Sequence, residues 1–217
     1  MTTATDSDLD ALLHHIAATL PVHQVEWPGG WPDQIELALI DAVLSIRARY
    51  GSPTTGVRAR TTLYAAQRRS GRCDNLTVLA RYDPAELAQI LQTRARTGGQ
   101  LKAAAIVGAA GTLNTAGVIH AVDLDPNCSA HRVAYLSVPG LGPVTWAYLL
   151  MLTGHPGVKA DTWLRRYLFE ATGKSLSPTR IEELVRAAAA VLGRSPTELD
   201  HAIWSTVRTT TAKTGEL

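Results

Sequence analysis

The length and composition of the chain exclude several classes of protein. With 217 residues it is long enough for one or two domains and for a sizeable buried core. A hydrophobic fraction of 46% excludes a disordered chain, and a charged fraction of only 18% indicates that much of the chain is packed. No apolar run approaches the roughly 18 residues of a membrane span, and the first residues lack the pattern of a signal peptide. We therefore expect a soluble, cytoplasmic, monomeric protein without a membrane partner.

The cysteine and histidine content argues against a metal cluster. Cys73 and Cys128 are the only two cysteines, so a site with four cysteine ligands is excluded. The seven histidines include no HExxH motif. His14 and His15 are adjacent, and a helix would point them about 100° apart, which is a poor chelate geometry. We expect no structural metal.

The net charge of +2 is unevenly distributed along the chain. Residues 51–120 contain nine basic and only three acidic residues. Such a segment is typical either of a phosphate-facing surface or of a solvated helical face. Its bases include Arg58, Arg60, Arg68, Arg69, Arg72, Arg94, Arg96 and Lys102.

Hydrophobic periodicity predicts helices along almost the whole chain. In chain order they cover residues 6–20, 35–46, 54–70, a segment opened by Asp83-Pro84, an alanine-rich segment from 101, then 130–136, 143–152 and 161–172, and two last helices opened by Ser177-Pro178 and Ser195-Pro196. The one candidate strand is 118–124. The pattern predicts an all-α fold of roughly ten helices, in which the helix over 6–20 is either part of the core or an extension of it.

One short segment between two predicted helices has a distinctive pattern. The sequence Val138-Pro139-Gly140-Leu141-Gly142 places two glycines two positions apart, directly before a helix start. This pattern predicts a tight turn whose backbone N–H groups, with the following helix N-terminus, can bind a phosphate. A plain turn between two helices is the alternative.

A second pattern follows nineteen residues after Gly142, where Asp161 precedes a predicted helix. An aspartate in that position usually caps the helix. Together, VPGLG at 138–142 and ADT at 160–162 resemble the helix-hairpin-helix (HhH-GPD) DNA glycosylase superfamily, of the endonuclease III and 3-methyladenine glycosylase type. That family reads Leu/Val-Pro-Gly-Val/Leu-Gly, a helix, and then Val-Asp-Thr, whose aspartate is the essential carboxylate.

The resemblance extends over roughly residues 34–210, although its specificity lies in 137–166. It implies a two-lobed helical fold in which residues 1–217 form a single unit with interleaved lobes. The helix-hairpin-helix would lie at about 131–152. The segment Gly99–Ala103 resembles the loop and helix start that carry a wedge residue in the family, and Ala42–Ala48 resembles an early helix that approaches the lesion.

The resemblance also implies residue roles. Asp161 would be the catalytic carboxylate, which stabilises an oxocarbenium-like transition state and orients water. The residues expected to bind DNA are Val138, Gly140, Leu141, Gly142, Thr145, Lys159 and Arg165. Those expected in the base pocket or wedge are Arg47, Tyr50, Trp163, Gln100 and Leu101. The alternatives are a helix cap for Asp161, a surface ion pair for Arg47, a solvated basic turn at Lys159 and Arg165, and a helix start with one apolar anchor at 100–101.

Two departures from the family refine the expected activity. Val144 lies where bifunctional members carry a lysine, so no amine is available to form a Schiff base and no abasic-site lyase activity is expected. The four-cysteine iron–sulfur loop is absent, so no cofactor is expected, although a monovalent cation at the hairpin is compatible with the resemblance.

The implied function is a monofunctional glycosylase acting on double-stranded DNA. Its substrate would be an alkylated, mismatched or hypermodified phage base, in repair or in antiviral defence. The alternatives are a non-catalytic helix-hairpin-helix DNA-binding module and, third, a helical scaffold that binds a protein partner.

Overall fold

The protein is built almost entirely from helices. The computed structural model describes residues 6–21, 27, 29–48, 56–68 and 71–214, with side chains through residue 208. Helices make up 63% of the chain, which confirms the predicted all-α class. None of the helices in this described part combines the length and hydrophobicity needed to cross a bilayer.

Eleven α-helices lie within the described ranges. In chain order they are α1 Ser7–Thr19, α2 Ile35–Leu44, α3 Val57–Gln67, α4 Leu76–Leu79, α5 Pro84–Ile90, α6 Lys102–Thr115, α7 Ser129–Leu136, α8 Pro143–Leu152, α9 Thr162–Thr172, α10 Pro178–Val191 and α11 Pro196–Thr214. A two-stranded antiparallel pair, β1 Arg96–Thr97 and β2 Gln100–Leu101, precedes α6, and a 3₁₀ turn covers Ala121–Asp123.

The chain divides into two compact units. The terminal unit comprises Met1–Pro28 and Pro156–Leu217, and the central unit comprises Gly29–His155. The predicted turn at 138–142 therefore belongs to the central unit, whereas Asp161 belongs to the terminal unit.

The terminal unit packs α1 against α9 and α10, and α11 against α9 and α10. Leu12 and Ile16 of α1 are buried in one cluster with Leu164 and Leu168 of α9. The helix predicted over 6–20 is therefore part of this unit's core. Helix α9 ends at Gly173, as predicted, because glycine adopts the left-handed conformation (φ 68°) that closes the helix.

The central unit is organised around α2, whose ten residues are all buried. Helix α2 packs against α3, α6 and α8. The alanine-rich α6 contacts α2, α4, α5 and α7, and its buried face carries Ala103, Ala105, Ala109 and Ala110. Small side chains allow several helices to approach α6 closely.

A buried acidic residue ties α2 to its neighbours. The Glu36 carboxylate accepts hydrogen bonds from the Tyr64 hydroxyl and from the Asn75 N–H (2.9 Å), and Arg68 lies 3.3 Å away. Burial raises the pKa of Glu36, although these three partners act in the opposite direction. Because its oxygens are occupied by structural partners, Glu36 stabilises the fold and does not serve as a free acid.

The structure contains α4 and the β1–β2 pair, which the sequence did not predict, and it differs from the expectation at two further places. The candidate strand at 118–124 is wrong: the segment forms the 3₁₀ turn, because the carboxylates of Asp123 and Asp74 accept its N–H groups at 119–121. A side chain that captures backbone donors in this way competes with strand pairing. Helix α2 ends at Leu44, two residues before the predicted end.

Candidate functional site

Residues 138–142 form a tight turn between α7 and α8. The Leu141 N–H donates to the Val138 carbonyl at 3.1 Å, and Gly140 has a φ of +89°. Proline in the second position and a left-handed glycine in the third are typical of a type II turn. The Val138 and Leu141 side chains are buried, so either residue would contact DNA through its backbone.

The second glycine of the turn is tied to the start of α8. The Gly142 N–H donates to the Thr145 hydroxyl oxygen (3.0 Å), and that hydroxyl donates to the Gly142 carbonyl (2.8 Å). The N–H groups of Val144 and Thr145 lie in the first helical turn, where no helix carbonyl precedes them. They point along the positive end of the α8 dipole, so they are the donors best placed for an anion.

The loop between β1 and β2 packs directly on this turn. A Cβ at Gly98 would lie 2.4 Å from the Gly140 nitrogen, so only glycine fits there. The Thr97 hydroxyl donates to the Gly140 carbonyl and the Gln100 amide donates to the Pro139 carbonyl, both at 3.0 Å. Residues 97–100 and 138–142 therefore form one unit, which we call the double turn.

The two residues predicted as wedge candidates lie in or beside this double turn. Gln100 and Leu101 form β2, and Leu101 is also the residue that precedes α6. The predicted loop is thus a two-residue strand in register with Arg96–Thr97. Both side chains are half-buried, and the Gln100 amide is already bonded to the hairpin carbonyl.

Several bases of segment 51–120 are used inside the central unit. Lys102 is buried, with its ammonium bonded to the Leu44 and Ile46 carbonyls. Arg68 pairs with buried Glu36. For Lys102 and Arg68, the alternative of a solvated helical face is therefore wrong.

Of the predicted base-pocket residues, Arg47 lies in the central unit. It is exposed in the turn that follows α2, with a φ of +48°, and not within the helix itself. Tyr50 lies outside the described residues. Trp163 lies in the first turn of α9, half-buried against the core of the terminal unit.

The side chain of Asp161 is fixed at the N-terminus of α9. Its Oδ1 accepts hydrogen bonds from the N–H groups of Trp163 (2.9 Å) and Leu164 (3.1 Å). Its Oδ2 lies 3.4 Å from the Lys159 ammonium, and the two side chains are 19% and 13% exposed. The Asp161 side chain is therefore held by an ammonium and two N–H donors at the positive end of the α9 dipole.

The backbone before α9 explains why Lys159 and Asp161 meet. Residues 156–161 are not helical, and Val158 and Ala160 are buried in the core while Lys159 and Asp161 alternate with them. The Thr197 hydroxyl of α11 accepts from the Gly157 N–H at 2.9 Å and so holds this segment against α11. The Asp161 N–H donates to the Lys159 carbonyl at 2.6 Å, so the chain turns tightly between these residues and keeps their two charged side chains close together.

A second carboxyl group lies beside this pair. Asp200 of α11 is only 4% exposed. Burial, and then the negative charge of Asp161, raise the pKa of Asp200 to about 8, while the charge and the backbone of Lys159 act in the opposite direction. The site therefore places the Asp161–Lys159 pair beside a carboxyl group, that of Asp200, which retains its proton near neutral pH.

Aromatic rings extend from this cluster along α11. The His201 ring lies edge-on to Trp27 (5.1 Å between centroids) and stacks on Trp204 (5.6 Å). The Arg208 guanidinium lies 5.1 Å from the Trp204 ring centre. Burial and the charge of Lys159 lower the pKa of His201, which favours the neutral imidazole.

Sequence reasoning missed this face of α11. Thr197, Asp200, His201 and Trp204 recur at spacings of three and four, which places them on one side of a helix. That periodicity was the available signal. Arg165, predicted to bind DNA, is exposed on α9.

The described residues contain no group of three or more His, Cys, Asp or Glu side chains arranged to bind a metal ion. Cys73 and Cys128 are both free thiols.

Comparison with known proteins identifies a family. No curated protein and no solved structure matches the chain. One family model, described as "Domain of unknown function (DUF8548)", matches residues 10–208. The match begins within α1 and ends within α11, so it includes α2 to α10 and most of the first and last helices. The chain therefore belongs to the DUF8548 family.

Proposed function

We propose that the protein is a monofunctional DNA glycosylase, which hydrolyses the N-glycosidic bond of a base flipped out of double-stranded DNA. The observation that carries the proposal is the Asp161 carboxylate, fixed by α9 and paired with Lys159 at 3.4 Å. It occupies the position at which the resembled superfamily carries its essential aspartate. The proposal includes the two-lobed helix-hairpin-helix fold, and the α7–turn–α8 arrangement supports it.

The proposed chemistry needs a carboxylate near the sugar. The bond between C1′ and the base nitrogen breaks with its electron pair leaving on the base. A water oxygen then bonds to C1′, and one proton of that water passes to the departed base. The intermediate sugar carries positive charge, which the Asp161 carboxylate stabilises. Lys159 and the two N–H donors hold this carboxylate in one orientation, so little reorganisation is needed in the transition state.

The start of α8, which follows the double turn directly, supplies the proposed DNA contact. The N–H groups of Val144 and Thr145, at the positive end of α8, would bind a backbone phosphate. Exposed Arg165 would add a second phosphate contact in the terminal unit. Lys159 is already paired with Asp161, so its role in the proposal is to orient the carboxylate.

The expected product is an intact abasic site. Val144, at the start of α8, offers no amine for a Schiff base, so strand cleavage by β-elimination is not part of the proposal. We propose no metal cluster and no organic cofactor. The substrate is an alkylated, mismatched or hypermodified base, and the experiment below distinguishes among these.

A second candidate function is a DNA-binding module without catalysis. The observation that favours it is that Asp161 also caps the N-terminus of α9. Asp83 does the same in the central unit, where it accepts hydrogen bonds from the N–H groups of Ala85 and Glu86 ahead of α5. A cap alone needs no further chemistry.

Asp83 therefore provides a matched control for testing Asp161. Asparagine caps helices about as well as aspartate, so Asp161→Asn removes the charge and keeps the cap. Both Asp161→Asn and Asp83→Asn are compared with wild type on alkylated, deaminated, mismatched and phage-modified DNA, read before and after alkali. We expect alkali-dependent breaks from wild type and Asp83→Asn, and a loss of about 100-fold or more for Asp161→Asn.

Each outcome separates the candidates. Normal turnover by Asp161→Asn would contradict the catalytic assignment. Breaks without alkali would reveal a lyase and contradict monofunctional chemistry. Salt-sensitive DNA binding without base release from any substrate would favour the binding module.

A further inference from the structure

The central unit contains a small cleft with an unusual charge distribution. Its volume is about 190 Å³, and it is lined by Leu44, Arg47, Ala48, Val57, Arg60, Thr93, Ala95 and Lys102. Three of these eight residues are cations and none is acidic. A concave surface lined by one sign of charge concentrates ions of the opposite sign.

Of the three cations that line the cleft, Lys102 is the most deeply buried. The residue is only 5% exposed, and its ammonium donates to the carbonyls of Leu44 and Ile46 at the C-terminal end of α2. No carboxylate among the described residues forms an ion pair with it. A buried charge without a counter-ion is costly, and burial accordingly lowers the pKa of Lys102. An anion in the cleft would provide the missing counter-charge.

The guanidinium of Arg60 is held at the cleft by backbone carbonyls. Its Nη1 donates to the carbonyls of Leu91 (3.0 Å) and Gln92 at the end of α5. Planar guanidinium groups suit phosphate oxygens because their N–H donors lie in a fixed fork.

The backbone around the cleft is strained at two positions. Arg47 and Gln92 have φ values of +48° and +46°, and they are two of the three non-glycine residues with positive φ in the described chain. A left-handed conformation is unfavourable for a residue with a Cβ. Such strain is found where a fold must orient particular groups. Here the strained residues are Arg47, a cation of the cleft, and Gln92, whose carbonyl orients the Arg60 guanidinium.

We infer that this cleft binds a phosphate-type oxyanion, supplied either by a nucleic-acid backbone or by a free nucleotide. Arg47 supplies the exposed contact, Arg60 a guanidinium fixed by α5, and Lys102 a desolvated ammonium beneath them. The inference does not depend on glycosylase activity, since the cleft lies within the central unit and Asp161 within the terminal unit.

The test compares two arginines of the central unit. Arg47→Asn removes the guanidinium, and asparagine tolerates a left-handed backbone, so the turn is preserved. Exposed Arg81, which does not line the cleft, is replaced in the control Arg81→Asn. Binding of inorganic phosphate is measured by titration calorimetry at constant ionic strength, with chloride as the reference anion.

Wild type and Arg81→Asn should bind phosphate more tightly than chloride, and Arg47→Asn should bind it about 10-fold more weakly or worse. Lys102→Met, confirmed as folded by circular dichroism, should lose phosphate binding. Equal responses to phosphate and chloride, or equal phosphate affinity in wild type and Arg47→Asn, would overturn the inference.

Competition then identifies the source of the phosphate group. A short DNA duplex and a nucleoside monophosphate are each added to the phosphate-bound protein. Displacement by the duplex at lower concentration assigns the cleft to a nucleic-acid backbone, and displacement by the nucleoside monophosphate alone assigns it to a free nucleotide. Failure of both to displace phosphate would contradict the inference.

Discussion

At the scale of single residues, the buried carboxyl group of Asp200 couples the stability of the protein to pH. Burial raises its pKa from the ordinary value of about 3.8 to about 8. Between these values the folded chain retains a proton that the unfolded chain releases. The free energy of unfolding therefore falls as pH rises through this window, by up to about 1.4 kcal/mol per pH unit from this group.

Asp200→Asn removes this titration while retaining the shape of the side chain. We expect the free energy of unfolding of the variant, relative to wild type, to increase steadily from about pH 5 to about pH 8. Urea unfolding at several pH values measures the difference. Asp10→Asn, at an exposed position of α1, is the control and should run parallel to wild type. Parallel curves for Asp200→Asn would contradict the assignment of a protonated carboxyl group.

At the scale of elements, the double turn depends on a close approach of two backbones. Gly98 and Gly99 both have positive φ, but a Cβ at Gly98 would lie 2.4 Å from the Gly140 nitrogen, whereas a Cβ at Gly99 meets nothing within 4 Å. A side chain at either position would therefore strain the backbone conformation, but only a side chain at Gly98 would also clash with the neighbouring turn.

Alanine substitution at the two glycines isolates the steric contribution. Each variant loses about 1–2 kcal/mol from left-handed backbone strain. Gly98→Ala must also separate the turns and disturb the hydrogen bonds of Thr97 and Gln100, which adds about 1–3 kcal/mol. Denaturant unfolding should therefore rank Gly99→Ala above Gly98→Ala in stability. Equal stability would show that the turns separate at no cost.

An element can be predicted from the sequence when the residues that cause it lie within a few positions along the chain. The turn at 138–142 and the helix from Asp161 to Gly173 were predictable, because proline, glycine and capping residues act within a few positions. The placement of Lys102 was not, because its carbonyl partners at Leu44 and Ile46 are 58 and 56 positions away. A charged side chain is expected to be exposed unless its distant acceptors are known.

The candidate site shows the same limit. The capping pattern identified Asp161, yet Asp200 lies 39 positions further along the chain, and only the packing of α11 against α9 brings it close. The segment 118–124 was misread for a related reason. One of its donors, the Ala121 N–H, is bonded to Asp74, a residue 47 positions earlier, which no local pattern reveals.

At the scale of the whole molecule, the first and last parts of the chain share one core. Leu12 of α1 is fully buried with residues of α9, α10 and α11, while fully buried Leu39 belongs to α2 of the central unit. A cavity in a core loosens the elements that line it first, because local stability follows local packing.

Leu12→Ala and Leu39→Ala form a reciprocal pair that tests this division. Each should cost about 2–5 kcal/mol, since both remove a fully buried leucine side chain. Hydrogen exchange followed by mass spectrometry measures the effect of each variant. For Leu12→Ala, exchange should become faster mainly in α9–α11. For Leu39→Ala, it should become faster mainly in α3, α6 and α8, because these helices pack on α2. If Leu12→Ala accelerated α6 as strongly as α9, the two units would unfold as one, and α1 would stabilise the whole chain instead of the unit that carries Asp161.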